Sequence, residues 1–180
     1  KGTAVELISA ANNTIETYWV RIIASNYMAS ATDSQGCLDI LGGAATEEVL
    51  IPDLLMGFAS TVITSSGNGV RQWSFPLYIP AGTRIAAQAA GMRVSTAMRV
   101  AIYLYGGMGY PPFRVGSKVT TYGATAPVGT TIVPGASGAE GAWTQLTAST
   151  TEDHFAFVPS FQAGSDTTIN NLAFAVDIGV

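Results

Sequence analysis

Charge is scarce in this chain, and so are the side chains that build metal centres. Asp, Glu, Lys and Arg make up only 11% of its 180 residues, less than half the usual share of about 25%. A single cysteine, Cys37, and a single histidine, His154, exclude a disulfide framework and a zinc site of the Cys/His type. The longest uncharged stretch, 119–139, is broken by Pro127, Pro134 and several glycines, so it does not read as a membrane helix. Lys1, Gly2 and Thr3 lead to Glu6 without an apolar run, and no targeting segment is expected there.

What is present is a large apolar fraction, 48%, with 20 glycines. That is enough to bury a core and excludes a disordered chain. With so little charge, much of the surface has to be Ser, Thr, Asn, Gly and small apolar groups, which suits a surface made for contact. The net charge of −4 conceals a segregation. Residues 1–53 carry seven acids against Lys1 and Arg21; residues 54–139 carry Arg71, Arg84, Arg93, Arg99, Arg114 and Lys118 and no acid; residues 140–180 carry five acids and no base. Such a layout favours contact between the middle and the ends, within one chain or between copies. A pI of about 4.8 makes nucleic acid a poor partner.

The pattern is β almost throughout. Met98, Val100, Ile102 and Leu104 alternate with Arg99, Ala101, Tyr103 and Tyr105, which predicts a strand with an aliphatic core face and an aromatic outer one. Leu172, Phe174, Val176 and Ile178 show the same period. Further strands are predicted at 18–23, 61–64, 70–79, 84–90, 118–122, 143–147 and 155–161. Pro80, Ala81 and Gly82 suit a turn with Pro at its second position and Gly at its fourth, residues 66–69 a hairpin or short loop, and Asn12-Asn13-Thr14 a turn rather than a glycosylation site. Helix is expected only as a turn or two within 44–56, weakened by Pro52 and Gly57. About ten strands with Gly/Pro punctuation predict an all-β, antiparallel two-sheet sandwich of jelly-roll type. The expected organisation is a β-sandwich over 1–140 and a C-terminal β segment over 141–180. That segment either completes the sandwich or opens a second repeat unit, since 141–161 can be laid on 2–22 and 176–178 on 38–40.

Two blocks of sequence carry a resemblance. Asp39-Ile40-Leu41-Gly42-Gly43-Ala44-Ala45-Thr46-Glu47-Glu48-Val49-Leu50-Ile51-Pro52-Asp53-Leu54 and Phe75-Pro76-Leu77-Tyr78-Ile79-Pro80-Ala81-Gly82-Thr83-Arg84-Ile85-Ala86 resemble structural proteins of tailed bacteriophages. Gly141-Ala142-Trp143-Thr144-Gln145-Leu146-Thr147-Ala148 and Ala175-Val176-Asp177-Ile178-Gly179-Val180 are similar to the same group. The resemblance implies a virion component, a capsid decoration or cement protein or a tail-associated one, assembled in the bacterial host cytoplasm, with no catalytic residues to carry over.

The groups that could carry chemistry are few. Glu47, Glu48 and Asp53 form one acid cluster; a glycosidase pair would need a second carboxylate such as Glu140 or Glu152, since adjacent residues on a strand point to opposite faces. The same cluster lacks the Asp-x-Asp-x-Asp-Gly loop of a calcium site. Asp153-His154 comes without a Gly-x-Ser-x-Gly elbow, and Gly106-Gly107-Met108-Gly109 follows no strand-to-helix pattern. The expectation is therefore a non-enzymatic protein with no cofactor or metal. Its partners are copies of itself, as a trimer, and phage capsid or tail proteins. Arg71, Trp73, Tyr78, Arg84, Arg99, Tyr103, Tyr105, Glu47 and Glu48 are the candidate interface or ligand contacts. The alternative is a carbohydrate-binding or host-receptor-attachment module that stacks a host glycan on exposed rings.

Overall fold

The computed structural model describes residues 1–27, 35–43, 47–56, 70–91, 97–107, 114–133, 135–136 and 139–161. The strands are β1 (Val5–Ile8), β2 (Thr17–Tyr27), β3 (Gly36–Gly42), β4 (Glu48–Met56), β5 (Val70–Phe75), β6 (Ile85–Gly91), β7 (Ala97–Gly106), β8 (Ala124–Thr125) and β9 (Val128–Gly129), with no helix among the described residues. They form an antiparallel sheet of order β1-β6-β3-β4, a second of order β5-β2-β7 and a small β8-β9 hairpin. The chain passes from one large sheet to the other at almost every connection, which makes the sandwich.

Alternation explains the second sheet. Val20, Ile22 and Ala24 of β2 are buried, and in register beside them stand Phe75 and Trp73 of β5 and Leu104, Ile102 and Val100 of β7. These side chains meet Leu38 and Ile40 of β3, Leu50, Ile51, Leu54 and Met56 of β4, and Ile85 and Ala87 of β6 in one apolar core. The odd positions of β7, Arg99, Ala101, Tyr103 and Tyr105, are all exposed, as period two requires. Gly106 ends β7 where a Cβ would lie 1.7 Å from the Glu16 carbonyl oxygen, so only glycine lets the two backbones approach.

β3 is buried along its whole length, so it shows no alternation in sequence. β4 corrects the expected helical turn within 44–56. Its Pro52 is accommodated by a bulge: Leu38 pairs Leu54 and Ile40 pairs Ile51, leaving Pro52 and Asp53 opposite Asp39 alone. Asp53 takes φ 51° there, a conformation Asp tolerates better than most residues.

The chain after β7 departs from expectation. Segments 118–122, 143–147 and 155–161 are irregular, so 141–161 contains no counterpart of β1 and β2. Segment 116–121 instead braces both sheets. Tyr78 N–H donates to the Gly116 carbonyl and Gly116 N–H to that of Pro76, while Val119 N–H reaches the Leu50 carbonyl and the Thr121 hydroxyl that of Pro52. The turn after Ile79 is shifted by one residue from expectation: Thr83 N–H bonds the Pro80 carbonyl, which puts Gly82 at its third position with φ 78°. Asn13 is buried and donates to the Thr83 carbonyl at 3.0 Å, a turn-bracing role. The strands expected at 61–64 and 172–178 and the turn at 66–69 lie outside the described residues.

Candidate assembly surface and a buried ion cluster

The outer face of the β5-β2-β7 sheet is built by the strand residues that the core leaves over. On it Tyr105 stands opposite Trp19, Tyr103 opposite Arg21, Ala101 opposite Ile23 and Arg99 opposite Ser25. Tyr103 and Tyr105 are each 49% exposed. Arg21 donates to Gln72 Oε1 at 2.5 Å across to β5. Beside these groups Ile23, Val70, Arg99 and Ala101 line a shallow apolar depression of about 210 Å³. The face carries Arg21 and Arg99 and no carboxylate, and neither guanidinium has an acidic partner among the described residues.

A second exposed region is the irregular arm 139–161. It presents Trp143, Leu146, Phe155, Phe157, Val158 and Phe161 to solvent, with Trp143 73% and Phe157 69% exposed. The arm is pinned to the brace at a few points. Lys118 Nζ meets Glu152 Oε1 at 2.6 Å, the Tyr122 hydroxyl lies 3.1 Å from His154 Nε2 with the rings edge to face, and Phe155 and Leu146 fill the space that a Cβ at Gly116 and at Gly123 would enter. The bond to Glu152 raises the Lys118 ammonium above its usual value.

The other candidates fall elsewhere. Trp73 is a core residue, 6% exposed, and so drops out of any contact surface. Arg71, beside it on β5, is half-buried. Tyr78 stacks on Tyr18 at 5.8 Å, and both hydroxyls donate to the Glu16 carboxylate; that bond first raises the Tyr18 phenol, whereas burial first and the bond second raise Tyr78. Arg84 joins Glu6 (2.7 Å) and Glu47 (2.5 Å) within one chain. The segregated charges of the middle and the first 53 residues therefore meet here inside a single copy, and Arg84 and Glu47 serve the sandwich. Glu48 is exposed next to it.

The sequence pattern does not disclose a buried ion cluster that the structure places behind β3. Asp39 is 1% exposed, and its carboxylate accepts from Lys1 Nζ at 2.7 and 2.9 Å, from Gln88 Nε2 at 3.0 Å and from the Asp53 backbone N–H of the bulge at 2.8 Å. Lys1 also meets Asp53 Oδ1 at 2.7 Å. Burial pulls the Lys1 ammonium down, but the bonds to Asp39 and Asp53 outweigh it and hold it above its usual value. Cys37, on the same outer side of β3, is pushed up to about 11, by burial first and the Asp53 carboxylate second, so its thiol is a poor nucleophile. Four hydrogen bonds from three donors on a buried carboxylate are the arrangement of a structural clasp: the bulge supplies an N–H that the sheet cannot pair, and Asp39 takes it. The signal for it was an aspartate inside an otherwise apolar strand.

No family model, curated protein or solved structure matches the chain. The geometry therefore stands on its own. Among the described residues no three His, Cys, Asp or Glu groups gather to hold a metal ion, and no helix is long and apolar enough to cross a membrane.

Proposed function

We propose that this chain is a non-enzymatic structural protein of a tailed-bacteriophage virion, which associates with copies of itself and binds the particle as a capsid decoration, cement or tail-associated component. The observation that carries the self-association is the arm. Six large apolar side chains crowd into 23 residues and face solvent, where a lone copy leaves them in water. Large apolar side chains left in solvent in that number mark a contact site. The low charge of the rest of the surface fits the same work, because neutral polar groups cost less to desolvate than ions. The assignment to a phage particle rests on the resemblance of the 39–54 and 75–86 blocks.

Light scattering on the purified chain, alone and with empty phage shells, tests this reading. A stable oligomer, expected to be a trimer, that decorates shells supports it; a monomer that ignores them overturns it. The second reading is a host-glycan module, favoured by Tyr103 and Tyr105, whose half-exposed rings sit two residues apart on one strand face. Retention of a glycan by a monomeric chain, lost in Tyr103→Ala, would move the conclusion there.

A further inference from the structure

We infer that the arm of one copy docks on the outer face of the β5-β2-β7 sheet of the next. This rests on the self-association proposed above and names its two surfaces. In one copy Trp143 and Phe157 of the arm and Tyr103 and Tyr105 of the face are all exposed, so the two surfaces do not cover each other. Ion-pair and ring contacts to Lys118 and Tyr122 hold the arm on the brace, which leaves the face to an arm from elsewhere.

The charges match. The arm carries Glu140, Glu152 and Asp153 and no Lys or Arg. Glu152 is taken by Lys118, and Glu140 and Asp153 have no basic partner among the described residues. The face offers Arg21 and Arg99, equally without an acidic one. Two carboxylates and two guanidiniums with no ionic partner among the described residues, on surfaces that also expose aromatic rings, give a contact that is part apolar and part ionic. The residues that dominate such interfaces are Trp, Tyr and Arg, and on these two surfaces Trp143, Tyr103, Tyr105 and Arg99 are exposed. Repeated head to tail, as in the proposed trimer, such a contact is heterologous and closes as a ring where the rotation between copies closes.

Cysteine cross-linking on the full chain tests the pairing directly, since the native Cys37 is buried. Tyr103→Cys and Phe157→Cys chains are mixed under mild oxidation. A covalent dimer formed mainly from the mixture, one chain of each kind, is the expected result. Charge exchange supplies a second measurement. Arg99→Glu and Asp153→Arg should each weaken self-association by about tenfold, and the double variant should recover most of it. Each variant is first shown to melt as the parent does. If the chain self-associates but the mixture gives no cross-link and the double variant no recovery, the docking is wrong and the self-association stands. If the chain is monomeric at every concentration, both fall. A glycan held at Tyr103 while the oligomer stays intact would overturn the docking alone.

Discussion

Two tryptophans divide the molecule. Trp73 on β5 is 6% exposed and packs into the core between the sheets, whereas Trp143 on the arm is 73% exposed. Phe75 and Phe157 repeat the contrast. Both regions are apolar in composition, but in the sandwich period two sends alternate side chains to a shared interior, while the arm has no partner strand to give it an interior. The sandwich is closed on itself by core, clasp and brace. The arm has the chemistry of an interior and the position of a surface, and the proposed contact outside the copy falls on it for that reason.

The sharpest break of this comparison is aimed at the sandwich. Lys1→Met removes the ammonium from Asp39 and Asp53 and leaves a buried carboxylate short of its counter-ion. Breaking a buried pair from one side costs about 3–5 kcal/mol. Urea unfolding should show that loss in full, with the association of folded chains unchanged. A loss under about 1 kcal/mol would mean that the clasp is no part of what closes the sandwich.

Alkaline titration comes next. The Cys37 thiol is raised from 9.0 to about 11 in the folded chain. Between those values the unfolded chain has released a proton that the folded chain keeps, so stability falls as pH rises, by about 2–3 kcal/mol across the window. Lys1 acts in the same direction at higher pH. Its folded value is raised, so its contribution is complete below about 10.5 and is lost as pH rises through the folded value. Stability from these two groups is thus flat up to pH 9. Cys37→Ala should abolish the part of the decline that begins near pH 9 and leave the part that Lys1 and the raised Tyr18 and Tyr78 phenols add from about pH 10 upward, as read from urea midpoints at successive pH values.

The legible part of the fold was the part that alternates. β2, β5 and β7 alternate a core-facing set of apolar side chains with an outer set, and a two-sheet sandwich follows from them. β3 was hidden because both its faces are buried, and β4 because Pro52 looked like a stop when it sits in a bulge that Asp39 satisfies. Segments 143–147 and 155–161 have strand-like composition, yet a strand also needs a neighbour to take its hydrogen bonds, and composition does not report one. The exposed pair Tyr103 and Tyr105 could be read from period two. The clasp could not, since it joins Lys1, Asp39, Asp53 and Gln88 through sheet register.

A smaller effect separates backbone from packing within the sandwich. At Gly82 a Cβ would meet nothing within 4 Å, but φ is 78°. Gly82→Ala should therefore cost about 1–2 kcal/mol through the left-handed backbone alone. Thermal melts check this against Gly106→Ala, where the added carbon would strike the Glu16 carbonyl and the loss should be greater.

The smallest effect is the one that most directly tests the contrast between the regions. Trp143→Ser and Phe157→Ser remove large apolar groups that the sandwich does not hold. In a dilute monomer their unfolding free energy should stay within about 0.5 kcal/mol of the parent, as for a surface change away from the core. Ile22→Ala, on β2 in the core, should cost about 2–5 kcal/mol in the same assay. At higher concentration the order reverses for assembly: the arm variants should lose self-association, and a folded Ile22→Ala chain should keep it. If Trp143→Ser destabilises the dilute monomer as much as a core truncation does, the arm belongs to the sandwich, and its exposed rings are no longer an argument for a neighbour.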